Sequence, residues 1–62
     1  MLSDKIMRIK EVSKVCGISI PTIYRKIKAG TFPSGRRLSS KTTGWLSSEI
    51  SEWMQSLPKM DV

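Results

Sequence analysis

Residues 17–30 read Gly17-Ile18-Ser19-Ile20-Pro21-Thr22-Ile23-Tyr24-Arg25-Lys26-Ile27-Lys28-Ala29-Gly30. The stretch is a turn followed by a short helix with one apolar and one cationic face. Ser19 is an N-cap residue, because its hydroxyl can accept from an orphan amide of the first turn. Pro21 is tolerated just inside, where amides have no helical partner. Ile20, Ile23, Tyr24 and Ile27 recur at i, i+3, i+4, i+7, while Thr22, Arg25, Lys26 and Lys28 lie off that stripe. Gly30 closes the helix, so the spacing predicts a helix over residues 20–29.

Upstream, Ile9, Val12, Val15 and Cys16 fall on one side at helical spacing, with Lys10, Glu11 and Lys14 toward water. This predicts a helix over residues 10–16, ended by Gly17, which adopts the left-handed conformation without steric cost. Met7-Arg8-Ile9 suits a brief extended segment, and residues 1–5 read as a frayed end. Two helices joined by a three-residue turn, the second one basic, form a helix-turn-helix.

Downstream the character changes. Phe32-Pro33 and Ser34-Gly35 favour turns. Arg36-Arg37-Leu38-Ser39 and Thr43-Gly44-Trp45-Leu46 read as two short strands with Ser40-Lys41-Thr42 at the tip, a β-hairpin or wing. Ile50, Trp53, Met54 and Leu57 then repeat the helical stripe. A third helix over residues 48–57 is expected, capped by Ser47 or Ser48, with Glu49 at the positive end of its dipole and Pro58 as its stop. The expected architecture is mainly α with a small β-hairpin: a winged helix-turn-helix of three short helices, the wing between the second and third. A single domain is expected over residues 1–62, its ordered core at about 7–57.

Charge placement carries the functional argument. Between Glu11 and Glu49 there is no carboxylate but seven cations: Lys14, Arg25, Lys26, Lys28, Arg36, Arg37 and Lys41. A one-sign middle costs self-repulsion and implies an anionic partner, nucleic acid ahead of a membrane surface. The inventory excludes much else. There is no histidine and one cysteine, Cys16, so a zinc site, a Cys–His dyad and a Ser–His–Asp triad are ruled out. Glu49 and Glu52 face solvent on the third helix with no pocket pattern around them, so no enzyme is expected, and no cofactor or small-molecule ligand. No apolar run approaches the roughly 20 residues of a membrane span, and no signal peptide is evident. The cytoplasm is the expected location.

A DNA-reading helix must bury one face and push the other into a groove about 12 Å wide. On this pattern Ser19, Thr22, Tyr24, Arg25, Lys26 and Lys28 are the candidate contacts of the recognition helix. Arg36, Arg37, Ser40, Lys41 and Thr42 are those of the wing. Arg25 suits a bidentate guanine contact or a phosphate; Lys26 and Lys28 suit phosphates. The bland reading of the same helix is a solvated basic face. Tyr24 stays open between core-edge packing and a DNA contact. Trp45, Trp53 and Phe32 read as packing residues of the hairpin base and third helix, and Cys16 as a small core residue.

Arg8-Ile9-Lys10-Glu11-Val12, Gly17-Ile18-Ser19, Thr22-Ile23-Tyr24-Arg25, Ile27-Lys28, Gly30, Phe32-Pro33, Gly44-Trp45-Leu46 and Ser48-Glu49-Ile50 through Trp53 together resemble the AlpA-type prophage regulatory proteins, relatives of phage excisionases and of MerR DNA-binding heads. The resemblance spans about residues 7–55. It implies a winged helix-turn-helix that binds double-stranded DNA as a transcription regulator, often of an integrase, or as an excisionase-like directionality factor. By position it puts Thr22, Tyr24 and Arg25 in or beside the recognition helix and Arg36, Arg37 and Lys41 in the wing. Relatives often have Pro and Val after Phe-Pro, where this chain has Ser34-Gly35-Arg36. No long heptad helix follows residue 57, so a MerR-like coiled-coil dimer is not expected. A monomer binding cooperatively to tandem sites is preferred. The rival reading is an inhibitor module that docks on a host regulatory protein through its basic face or third helix, and structure-selective RNA binding comes third.

Overall fold

The computed structural model describes residues 4–60. In chain order the elements are β1 (Ile6–Met7), α1 (Ile9–Cys16), α2 (Ile20–Ala29), β2 (Arg36–Ser39), β3 (Thr42–Leu46) and α3 (Ser47–Ser56). Three helices thus accompany a small antiparallel sheet of strand order β1-β3-β2.

The α1–α2 turn forms as its residues dictate. Gly17 and Gly30 occupy the left-handed region at φ 73° and 79° and cap their helices. Gly17 N donates to Ser13 O at 2.9 Å, and Ser13 Oγ donates to Ile18 O at 2.6 Å, which ties the turn back to α1. Ser19 is the N-cap of α2, its hydroxyl accepting from Thr22 N at 3.4 Å.

The sheet is larger than the expected hairpin. Ile6 pairs with Leu46 and Met7 with Trp45, so a third strand forms at Ile6–Met7; of the expected extended segment Met7-Arg8-Ile9 only Met7 belongs to it, since Arg8 caps α1 and Ile9 opens it. Two residues pairing some 40 positions away leave no local pattern to read. Gly44 makes the approach possible: a Cβ there would collide with the Ile6 side chain and meet Leu38 Cδ1 at 3.1 Å. In the hairpin Arg37 faces Thr43 and Ser39 faces Thr42, leaving Leu38 as the extra residue of a bulge. The tip is therefore Ser40-Lys41 alone. Thr42, expected at the tip, is the first residue of β3.

Helix α3 starts one residue earlier than expected and its cap comes from elsewhere. Ser47 and Ser48 lie inside the helix rather than capping it. The Asp4 carboxylate accepts from Ser48 N at 2.8 Å, Ser48 Oγ at 3.0 Å and Ser47 Oγ at 3.2 Å. Glu49 reaches back to Leu46 N at 3.3 Å. Two carboxylates thus sit on the positive end of the helix. Lys5 also exchanges hydrogen bonds with Ser47, N to Oγ at 3.1 Å and O from N at 2.9 Å. Asp4 and Lys5 are therefore anchored rather than frayed; the first three residues of the expected frayed end lie outside the described residues.

Met7, Val12, Ile23, Phe32, Trp45 and Ile50 form the buried core, with Ile9, Cys16, Ile18, Ile27 and Trp53 packed against it. Each apolar side chain taken from water contributes about 1.5–3 kcal/mol. A chain this size retains net stability only on the order of 3–9 kcal/mol, so each core residue matters. The helical stripes are not buried along their whole length. Val15 is 51% exposed and Leu57 48%; Leu57, expected as the last helical residue, lies just past the end of α3 in extended backbone.

Candidate nucleic-acid interface

The inner face of α2 is fixed by Ile23, which is wholly buried, with Ile20 and Ile27 half-buried beside it. That leaves the opposite face to Ser19, Thr22 and Arg25, spaced three apart and stacked one turn above another. They form one hydrogen-bonded row. The Ser19 and Thr22 hydroxyls sit 2.7 Å apart, and Arg25 Nη2 donates to Thr22 Oγ1 at 3.3 Å. The row holds the guanidinium one turn back along the helix surface, at Thr22, while leaving most of its five donors unused.

The flanks of α2 carry the other candidates. Lys28 is exposed and Lys26 half-buried. Tyr24 is 54% exposed, which takes it off the core edge and onto the accessible surface. Among the described residues neither Arg25, Lys26 nor Lys28 pairs with a carboxylate, so this surface is cationic without internal neutralisation.

The hairpin divides the remaining candidates. Arg36 lays its fork on Glu49, Nε to Oε1 and Nη2 to Oε2, both at 3.4 Å. It thereby joins β2 to the first turn of α3 instead of projecting as a free cation. The pair is solvent-exposed and long, so it contributes little by itself. Arg37 Nη1 donates to Ser40 O at 3.4 Å, and Lys41 N donates to Ser39 Oγ at 3.5 Å. Arg37, Ser40 and Lys41 thus gather at the exposed end of the hairpin, with Thr42 a strand residue behind them.

Lys5 was not singled out in the sequence, and Trp45 and Trp53, expected as packing residues, also make hydrogen bonds that the sequence did not show. Lys5 pairs with Glu11 at 2.5 Å and so neutralises the one acid of α1. Burial raises the Cys16 thiol above its ordinary range, in keeping with a packing residue. Trp45 Nε1 donates to Pro33 O at 2.8 Å and Trp53 Nε1 to Thr31 O at 2.7 Å, which pins the connection between α2 and the hairpin. The available signal was chemical: an indole N–H withdrawn from water needs an acceptor. Phe32, Trp53 and Leu57 with Glu49 and Glu52 line an open groove beside α3. Among the described residues no helix is long and apolar enough to cross a membrane.

The chain is 41% identical over 51 residues to the uncharacterised protein ORF88 of Enterobacteria phage P4, an alignment that covers 82% of this chain and 58% of that one. The chain thus spans just over half the length of this phage relative. It is 32% identical over 62 residues to the DNA-binding transcriptional activator AlpA of Escherichia coli (strain K12), covering 90% of this chain and 89% of the relative. No solved structure matches. Residues 5–59, nearly all that the structure describes, match the family described as Prophage CP4-57 regulatory protein (AlpA), and the chain belongs to that family.

Proposed function

We propose that the protein is a sequence-specific double-stranded DNA-binding regulator of winged helix-turn-helix type. Helix α2 enters the major groove, and the hairpin acts as a wing along the neighbouring backbone or minor groove. The observation that carries this is the Ser19–Thr22–Arg25 row on a carboxylate-free face, with Arg37 and Lys41 held just downstream. A relative that carries the name DNA-binding transcriptional activator supports it.

In this reading Arg25 contacts a base edge, Thr22 and Ser19 approach the bases or phosphate at the helix start, and Tyr24, Lys26 and Lys28 contact the backbone. Arg37, Ser40 and Lys41 are the wing contacts, with Thr42 beside them. Arg36 contributes through Glu49 to the wing's attachment. The cellular role is that of a prophage-type transcription regulator or an excisionase-like directionality factor in the cytoplasm. It binds as a monomer that associates cooperatively on tandem sites, and an integrase is a candidate partner. A small domain buries limited DNA surface alone, which favours such cooperation.

Selection from a pool of random duplexes tests the reading. Enrichment of a common motif, resistant to competition by unrelated DNA and by RNA duplex, is the expected result. A pool that emerges unenriched would overturn it. A second reading, docking on a protein partner, is favoured by the acidic and apolar groove beside α3. A stoichiometric partner that survives nuclease treatment and is lost on Glu52→Lys, with DNA affinity unchanged, would support that reading instead.

A further inference from the structure

Two indoles from different elements converge on one short piece of backbone. Trp45 of β3 holds the Pro33 carbonyl at 2.8 Å, and Trp53 of α3 holds the Thr31 carbonyl at 2.7 Å. Between these carbonyls Phe32 is buried, its ring centroid 4.5 Å from that of Trp53 at an interplanar angle of 57°. The upstream end is tied as well. Thr31 N and Thr31 Oγ1 both donate to Lys26 O, at 2.9 and 3.2 Å.

Residues 30–35 alone separate α2 from β2. The connector joins the β1–β3 pairing and the buried Trp45 in setting the direction of the hairpin relative to α2, and it is the tie on the β2 side. Trp45 is 1% exposed and belongs to the core. Trp53 is different: it is half-buried, on a helix whose charged residues are Glu49 and Glu52. Its ring serves packing, but its N–H reaches the connector.

We propose that Trp53 is a positioning residue for DNA binding. By holding the Thr31 carbonyl, it sets the hairpin's direction so that α2 and the hairpin engage one duplex together. This rests on the DNA-binding reading above. A connector left loose would widen the range of directions the hairpin samples about its β3 anchor, and its ordering would then be charged against binding. With the carbonyl pinned, that order is established on folding.

The test is Trp53→Phe, which keeps a ring against Phe32 and removes the donor. DNA affinity should fall about three- to tenfold, the scale of one hydrogen bond. The decisive readout is a pair of double-mutant cycles. Lys41→Ala should weaken wild-type binding but add little in the Trp53→Phe background, while Arg25→Ala should cost the same in both. A residue that only stabilises the fold would leave both losses unchanged. In the free protein, backbone ¹⁵N relaxation should show lower order parameters for hairpin amides in Trp53→Phe, with α2 unaltered. Additive Lys41 losses, or unchanged hairpin dynamics, would overturn the positioning role. Failure of the wild type to bind any duplex would instead remove the DNA-binding reading, and the positioning role with it. The relaxation comparison needs no DNA and would still decide whether the clamp exists.

Discussion

On the proposed reading, Arg25 is the side chain on which sequence preference turns. It stands on the face opposite Ile23, steadied by Thr22 Oγ1 at 3.3 Å and unpaired with any carboxylate among the described residues. Arg25→Ala is expected to lose about 1–3 kcal/mol of specific binding and to relax preference at one base pair. Lys28→Ala should weaken all duplexes alike, since Lys28 is proposed to meet phosphate. Equal, sequence-blind losses from the two, measured by anisotropy on specific and scrambled duplexes, would take Arg25 out of the base-reading role. At the same scale, Gly44→Ala should loosen β1, because the added methyl group displaces Ile6. Faster hydrogen exchange at the amides of Ile6 and Met7, with α2 unaffected, would register it.

At the scale of elements, α2 was legible because its signals are local. The Ser19 cap, the isoleucine stripe and Gly30 all act within a few residues of one another, and the helix observed has the expected bounds, Ile20–Ala29. The same holds for Gly17 and the three-residue turn. The partners of α3 were not legible, since Asp4 caps it from 44 residues away and Glu49 takes Arg36 from 13. Nothing near Asp4 in sequence marks it as a cap. Its carboxyl is held below the usual 3.8, chiefly by the Ser48 hydroxyl and then the Ser48 amide. A carboxyl with a lowered folded pKa contributes stability above its unfolded pKa and loses it as pH falls through the folded one. Asp4→Asn should therefore flatten the acid limb of a stability–pH profile and lower the neutral plateau. A variant profile parallel to the wild type below pH 4 would show that the cap carries no charge-dependent stability.

For the molecule as a whole, a thin core positions two cationic elements. Ile23 lies on the inner face of the helix that carries Arg25, so Ile23→Ala removes buried volume and the platform together. A loss of about 2–5 kcal/mol is expected, enough to populate the unfolded state at ambient temperature in a chain so small; urea titration followed by tryptophan fluorescence would measure it. The charge pattern was legible in sequence, because a carboxylate-free stretch stays carboxylate-free when folded. Its distribution was not. Arg36 is spent on Glu49 and Thr42 withdrawn into β3, so Arg25, Lys26, Lys28, Arg37 and Lys41 remain as the candidate grip. The most direct test of that grip is the salt dependence of binding to a selected duplex. With four or five of these cations on phosphate, a plot of log affinity against log salt should have a slope of about −4, with a clear preference over random duplex at every salt concentration. A slope near zero, or equal affinity for random duplex, would contradict the account.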